Sequence, residues 1–116
     1  LQRGKYLLER FGSDYKKIET MLNSYLLLEE KFHLKCTFPV VAEIVKRYSK
    51  VFQNLYQKGM KFAFHGKRHL DYTTLKREKQ LQELEEGMEV FEKYGIQVKG
   101  FRAPYTRWDK NLIKNV

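Results

Sequence analysis

The stretch "FAFHGKRHLDY", residues 62–72, decides the fold. It joins a short apolar run to two histidines four residues apart, His65 and His69. With Met60 and Lys61 ahead of it, the run reads as a strand. Both histidines then fall just past the strand's end.

Working outward, the neighbouring segments alternate in type. Upstream, "LKCTFPVV" (residues 34–41) is β-branched and aromatic, a second short strand with Pro39 near its end. Between the two, residues 42–58 repeat the helical step through Val45, Tyr48, Phe52 and Leu55, and Gly59 fits a C-terminal stop. Downstream, residues 75–94 step through Leu81, Leu84, Met88 and Phe91 and stop at Gly95. "IQVKGFRAPY" (96–105) reads as a further strand that turns at Pro104, and "WDKNLIKNV" (108–116) starts another helix. At the front, Ile18, Met21, Leu22, Tyr25, Leu28 and Phe32 mark an amphipathic helix over 14–32, with Ser13 and Asp14 as N-cap candidates.

Helices alternating with strands imply an α/β fold of parallel strands with right-handed crossovers. In such sheets, binding sites lie beyond the carboxyl ends of the strands. One strand ends at His65 and another at Arg102 to Tyr105, so both polar clusters are expected on the same edge. An open three-stranded sheet leaves long exposed edges. The chain is therefore expected to be a single domain over 1–116 that forms a piece of a larger barrel, or one that completes its sheet as a homo-oligomer.

Composition narrows the class. With 116 residues, 42% hydrophobic and 15% aromatic, the chain is long enough and apolar enough for one packed core. No apolar run approaches the ~20 residues of a membrane span, so no membrane partner is expected. A secretory leader is not visible and there is one cysteine, which leans the expectation toward a cytoplasmic location. Cys36, in a strand-like run, reads as a packed small residue rather than a nucleophile. The net charge of +9 raises a basic nucleic-acid-binding domain as one function class. The lysines, however, are spread through every segment and mixed with glutamate, as in "KREKQLQELEEGMEVFEK". A solvated basic surface is the better reading, and no nucleic-acid partner is expected.

The chemistry-bearing residues cluster at the two strand ends. His65 and His69 have H-x-x-x-H spacing, and neutral imidazole suits zinc, but two donors do not complete a site. The alternative is a pair of loop histidines in a basic surface. His33 reads as a solvent residue in a turn. Asp71 is a partner for a histidine or else a turn and cap residue with Thr73 and Thr74. In "GFRAPYTRWD" (100–109), Arg102 offers a bidentate grip on a carboxylate, and Pro104 fixes the backbone direction. Trp108 offers a floor for a sugar, against the favoured alternative of a cap on the core. There is no P-loop, no dinucleotide fingerprint and no Gly-x-Ser-x-Gly elbow.

Together these segments resemble the polysaccharide deacetylase family (the NodB-homology carbohydrate esterases). "LKCTFPVVAEIVKRY" is similar to that family's K-A-T-F-F-V strand and following helix. "QKGMKFAFHGKRHLDYTTL" resembles the stretch from a G-H-E-I strand to the H-[ST]-x-x-H motif. "GIQVKGFRAPYTRWD" resembles its R-x-P-[YF] motif. Order and spacing match over about residues 14–116. The resemblance implies a distorted (β/α) barrel and a divalent metal, most often zinc, held by one Asp and two His. It also implies metal-assisted removal of an N- or O-acetyl group from a carbohydrate.

Carried over by position, His65 and His69 become metal ligands and Asp14 the candidate third. Arg102 becomes the residue that orients a catalytic carboxylate, and the backbone N–H of Tyr105 an oxyanion donor. Pro104 and Trp108 fall at the substrate side. The pattern is departed from in three places: "RFGSDY" stands where T-F-D-D belongs, Gly66 replaces the hydroxyl residue between the histidines, and Thr106 replaces a glycine. The family's Leu-x-x-His segment would lie beyond Val116. A catalytically incomplete member that binds glycan or metal without turnover is therefore the alternative expectation.

Overall fold

The computed structural model describes residues 15–116, so the Asp14 and Ser13 assignments lie outside the described residues. The described chain falls into two compact units that divide between Cys36 and Thr37. The first contains α1 (Tyr15–Phe32), as the periodicity predicts. His33 follows at φ 52°, and the chain folds back so that the Leu34 N–H donates to the Glu29 carbonyl at 2.9 Å. The Cys36 N–H donates to the Glu29 carboxylate at 2.7 Å. Residues 34–36 are thus tied to the helix end, and the first strand is shorter than the apolar run suggests. Cys36 is exposed, which corrects its reading as a packed residue.

The second unit is built on two parallel strands, β1 (Thr37–Val40) and β2 (Lys61–Phe64). Their register sets Thr37 opposite Lys61 and Val40 opposite Phe64. Residues Phe62, Ala63 and Phe64 of β2 are all buried, the mark of a strand covered on both faces. The expected third strand contracts to a single parallel bridge between Phe64 and Phe101. Around it, Lys99 N–H donates to the Phe62 carbonyl (3.0 Å), Phe64 N–H to the Gly100 carbonyl (2.7 Å) and Arg102 N–H to the Phe64 carbonyl (2.9 Å). Pairing stops there because the chain turns at Pro104, which has no N–H to continue a ladder.

The predicted helix over 42–58 is two helices, α2 (Ala42–Arg47) and α3 (Ser49–Gln57), broken at Tyr48 (φ −118°, ψ 39°). Val45, Tyr48, Phe52 and Leu55 are nevertheless all buried. The apolar phase crosses the break unchanged, which is why pattern alone reads one helix. Gly59, at φ 98°, turns the chain out of α3, and the Met60 N–H closes back on the Leu55 carbonyl at 3.0 Å. Then come a 3-10 turn (Tyr72–Thr74), α4 (Arg77–Lys93), a second 3-10 turn (Pro104–Thr106) and α5 (Lys110–Asn115). Asp109 caps α5, its carboxylate accepting from the Leu112 N–H at 2.8 Å.

The core of this unit is aromatic. Phe52 meets Phe62 edge-on at 5.4 Å, and Phe64 meets Phe91 at 5.7 Å and Phe101 at 5.6 Å. The buried face of α4 differs from the expected one. Gln80, Glu83, Leu84, Gly87 and Phe91 are buried, while Leu81 is exposed. Its first half presents polar side chains inward because it packs against the polar loop over residues 67–72. No helix among the described residues is long and apolar enough to cross a membrane.

Candidate functional site

The site begins where β2 ends. The His65 N–H donates to the Val40 carbonyl (3.1 Å), so strand pairing persists one residue past Phe64 and sets the His65 backbone. The loop that follows gives its carbonyls to the first turn of α2: Ala42 N–H donates to Gly66 (2.9 Å) and Glu43 N–H to Lys67 (3.1 Å). Those N–H groups have no partner within their own helix, so the loop satisfies them. Gly66 takes φ 89°, and a Cβ there would stand 2.8 Å from the Tyr72 hydroxyl and 2.9 Å from the Arg68 carbonyl. Only glycine fits this turn without strain.

Nδ1 of His65 lies 2.6 Å from the carbonyl oxygen of Arg102. A carbonyl only accepts, so Nδ1 carries the proton and the Nε2 lone pair is left available. The His69 ring meets His65 edge-on at 5.0 Å, and Tyr105 meets His69 edge-on at 4.6 Å. The two strand ends therefore meet, as the topology predicts. Burial, more than the nearby His69 and Arg102 charges, holds the His65 imidazole below its usual range, although the Arg102 carbonyl opposes this. His65 is thus neutral at neutral pH, the form that donates to a metal.

The other candidates fall into place around the pair. Pro104 is buried at the start of its 3-10 turn. Tyr105 and Thr106 follow at φ 59° and 57°. A left-handed β-branched threonine is a costly backbone state, and it stands where the family motif carries glycine. No hydrogen bond of the described residues uses the Tyr105 N–H. The Arg102 side chain is exposed and joins no ion pair among the described residues; its contact with the site is through its carbonyl. Trp108 is 64% exposed, which corrects its reading as a core cap. With Phe101, Ala103, Leu112, Ile113 and Val116 it lines an open apolar hollow of about 370 Å³.

Asp71 resolves as a cap. It accepts from the Thr73 N–H (3.1 Å) and hydroxyl (2.6 Å) and pairs with the Arg107 guanidinium at 2.7 Å. The Thr73 hydroxyl first, then Arg107, hold its carboxyl below the usual range. This pair also ties the histidine loop to the Tyr105 loop.

Sequence reasoning misses the inner face of α4. Gln80 donates to the Tyr72 carbonyl (2.7 Å) and to Asp109 (3.1 Å). Buried Glu83 accepts from Arg68 at 2.6 Å, and Glu86 pairs with Lys67. The available signal is phase: Gln80, Glu83, Gly87 and Phe91 recur at helical steps on the buried side.

Tyr72, fully buried, closes the loop from beneath, and burial pushes its phenol up to about 12. In an unfolded chain the phenol ionises near 10. The folded state holds the proton more tightly, so this contribution is complete below about pH 10 and is lost as pH rises toward about 12. Between about pH 8 and about pH 11, the denaturation midpoint should fall further for the wild-type chain than for Tyr72→Phe. Equal falls would show that Tyr72 does not couple folding to pH.

Described residues include no group of three or more His, Cys, Asp or Glu able to hold a metal. His65 and His69 fit as two donors, with the His65 tautomer already set for ligation.

A polysaccharide deacetylase family model matches residues 13–116. The chain belongs to the polysaccharide deacetylase family. Solved structures give the same fold. The carbohydrate esterase family 4 domain of a xylanase, from the hindgut metagenome of Trinervitermes trinervoides, is 24% identical with a TM-score of 0.69, over 82% of this chain and 47% of that one. A family 4 carbohydrate esterase from Streptomyces lividans, solved with acetate, is 20% identical with a TM-score of 0.72, over 81% and 50%. A family 4 pseudoenzyme from Bacillus anthracis is 18% identical with a TM-score of 0.77, over 84% and 35%. The chain thus spans half or less of the length of these structures. No curated protein matches it. The α/β order of this polysaccharide deacetylase family member, with parallel strands and helical crossovers, is that of the distorted (β/α) barrel of its relatives.

Proposed function

We propose that this chain carries the metal- and substrate-facing edge of a hydrolase that removes acetyl groups from a carbohydrate. The observation that carries this reading is the His65–His69–Tyr105 cluster, with His65 Nδ1 held on the Arg102 carbonyl. Both histidines would hold a divalent metal, most naturally zinc, and such a metal polarises a carbonyl and acidifies a bound water. The chain's own groups supply the rest. The Arg102 carbonyl fixes the His65 tautomer and ring plane. Tyr105, turned to positive φ, frees its N–H to donate to the oxygen that becomes an oxyanion. Arg102's exposed guanidinium is available to orient a carboxylate, as the resemblance implies. Trp108 and its apolar hollow offer a face for a sugar ring.

A second reading, a catalytically incomplete binding member, is favoured by one observation: "RFGSDY" stands where the family carries its T-F-D-D motif. The experiments separate the two. Zinc binding by the chain should fall in His65→Ala and His69→Ala by more than the about 10–100-fold typical of losing an outer partner. Asp14→Asn tests the resemblance's third donor in the same assay. A wild-type chain that holds no zinc would end the metal reading. Acetate release from acetylated chitooligosaccharides, lost in His65→Ala, supports the hydrolase; zinc binding without acetate release supports the incomplete member.

A further inference from the structure

We infer that Glu83 is a positioning residue for the histidine pair, acting through Arg68 from the buried face of α4. The inference rests on the reading of His65 and His69 as ligands. Arg68 immediately precedes His69, and its guanidinium donates to the Glu83 carboxylate at 2.6 Å. The Glu83 side chain is 1% exposed while that of Arg68 is 45% exposed. A carboxylate buried this deeply loses its hydration, and a half-exposed arginine returns only part of that cost. One of its oxygens has no hydrogen bond among the described residues, so the site is not built for maximal stability. Its geometric effect is local and specific. The ion pair anchors the backbone at Arg68, whose carbonyl in turn accepts from the Leu70 N–H at 2.9 Å, enclosing His69 between two fixed points.

The neighbours of Glu83 on the same face act in parallel. Glu86, one step on, pairs with Lys67, and Gln80, one step back, holds the Tyr72 carbonyl at 2.7 Å. A row of three polar side chains on one rigid helix therefore grips residues 67, 68 and 72, which bracket His69. His69 itself makes ring contacts with His65 and Tyr105, and no hydrogen bond of the described residues fixes it directly. Its placement depends on the loop, and the loop depends on the helix.

The test uses Glu83→Gln in the full chain. Glutamine keeps the shape and removes the charge. Zinc affinity by calorimetry should fall about tenfold. Arg68→Gln should give a similar loss, and the double variant should lose no more than either alone, because both break one link. The imidazole NMR signals of His69, which feel the His65 and Tyr105 rings, should shift in Glu83→Gln without metal. Val51→Ala, a core change in α3 far along the chain from this loop, serves as a control: it should lower thermal stability while leaving zinc affinity and the His69 signals unchanged.

Unchanged His69 signals and zinc affinity within twofold in Glu83→Gln would overturn the inference. So would an equal effect in the control, since loss of stability would then explain everything. If the wild-type chain binds no zinc, the functional reading fails on its own, and the metal-free His69 signals still decide whether Glu83 positions the ring.

Discussion

Phe64→Ala is expected to lower the stability of the chain by about 3–5 kcal/mol, the usual cost of emptying a buried phenylalanine site. Phe64 is 4% exposed and joins two aromatic contacts, with Phe91 of α4 and Phe101 of the bridging segment. Its ring is thus the point where the strand, the helix and the Arg102 loop share one packing contact. Truncation leaves a cavity that these rings cannot all close, because each is held by a different element. The backbone bonds of Phe64 to Gly100 and Arg102 do not need the ring, so the sheet edge should persist while packing loosens. Chemical denaturation reads the loss as a lower midpoint with a nearly unchanged slope. A cost below about 1 kcal/mol would show that the site collapses freely, contrary to the geometry.

The second large effect runs against a general rule. Alanine in place of glycine in a helix interior normally gains about 1 kcal/mol. Gly87→Ala should instead destabilise by about 1–3 kcal/mol, the range for overpacking a filled core. A Cβ at position 87 would stand 2.6 Å from Cζ of Phe64 and 3.0 Å from the backbone nitrogen of Lys67. The ring cannot retreat without disturbing Phe91 or Phe101, and the Lys67 nitrogen belongs to the histidine loop. The two predictions are coupled, and the coupling is itself measurable. In a Phe64→Ala background the clash with the ring is gone and only the 3.0 Å approach to the Lys67 nitrogen remains, so Gly87→Ala should cost clearly less than it does in the wild-type chain. Additive losses in the double variant would contradict this account.

Much of the fold was legible because β2 is short, apolar and bounded, and because its neighbours carry clear helical periodicity. The meeting of the two strand ends followed from topology alone, and His65, His69, Arg102 and Tyr105 do come together. Other features depend on tertiary partners that the apolar pattern does not encode. The α2–α3 break leaves the apolar phase of Val45, Tyr48, Phe52 and Leu55 untouched. Gln80 and Glu83 lie off the apolar step of Leu81, Leu84, Met88 and Phe91 that marks the helix, yet both are buried and face a polar loop. Trp108 read as a core cap because tryptophan is mostly buried, yet α5 buries Leu112 and leaves the indole outside. Reading His65 and His69 as candidate ligands needs both strands at once; the spacing of the pair alone is compatible with an ordinary loop.

The fit between Gly66 and Tyr72 has a consequence for how this chain can vary. The Tyr72 hydroxyl and ring edge occupy the space that a side chain at 66 would need, at 2.8 Å and 3.1 Å from its Cβ. The departure from a hydroxyl residue inside the histidine motif is therefore not an isolated substitution. Restoring serine at 66 would demand a different backbone turn and a smaller residue at 72 together. The Arg68 carbonyl, 2.9 Å from the same Cβ, sets the same limit from the backbone side, so position 66 opens to a side chain only when the turn and Tyr72 change together.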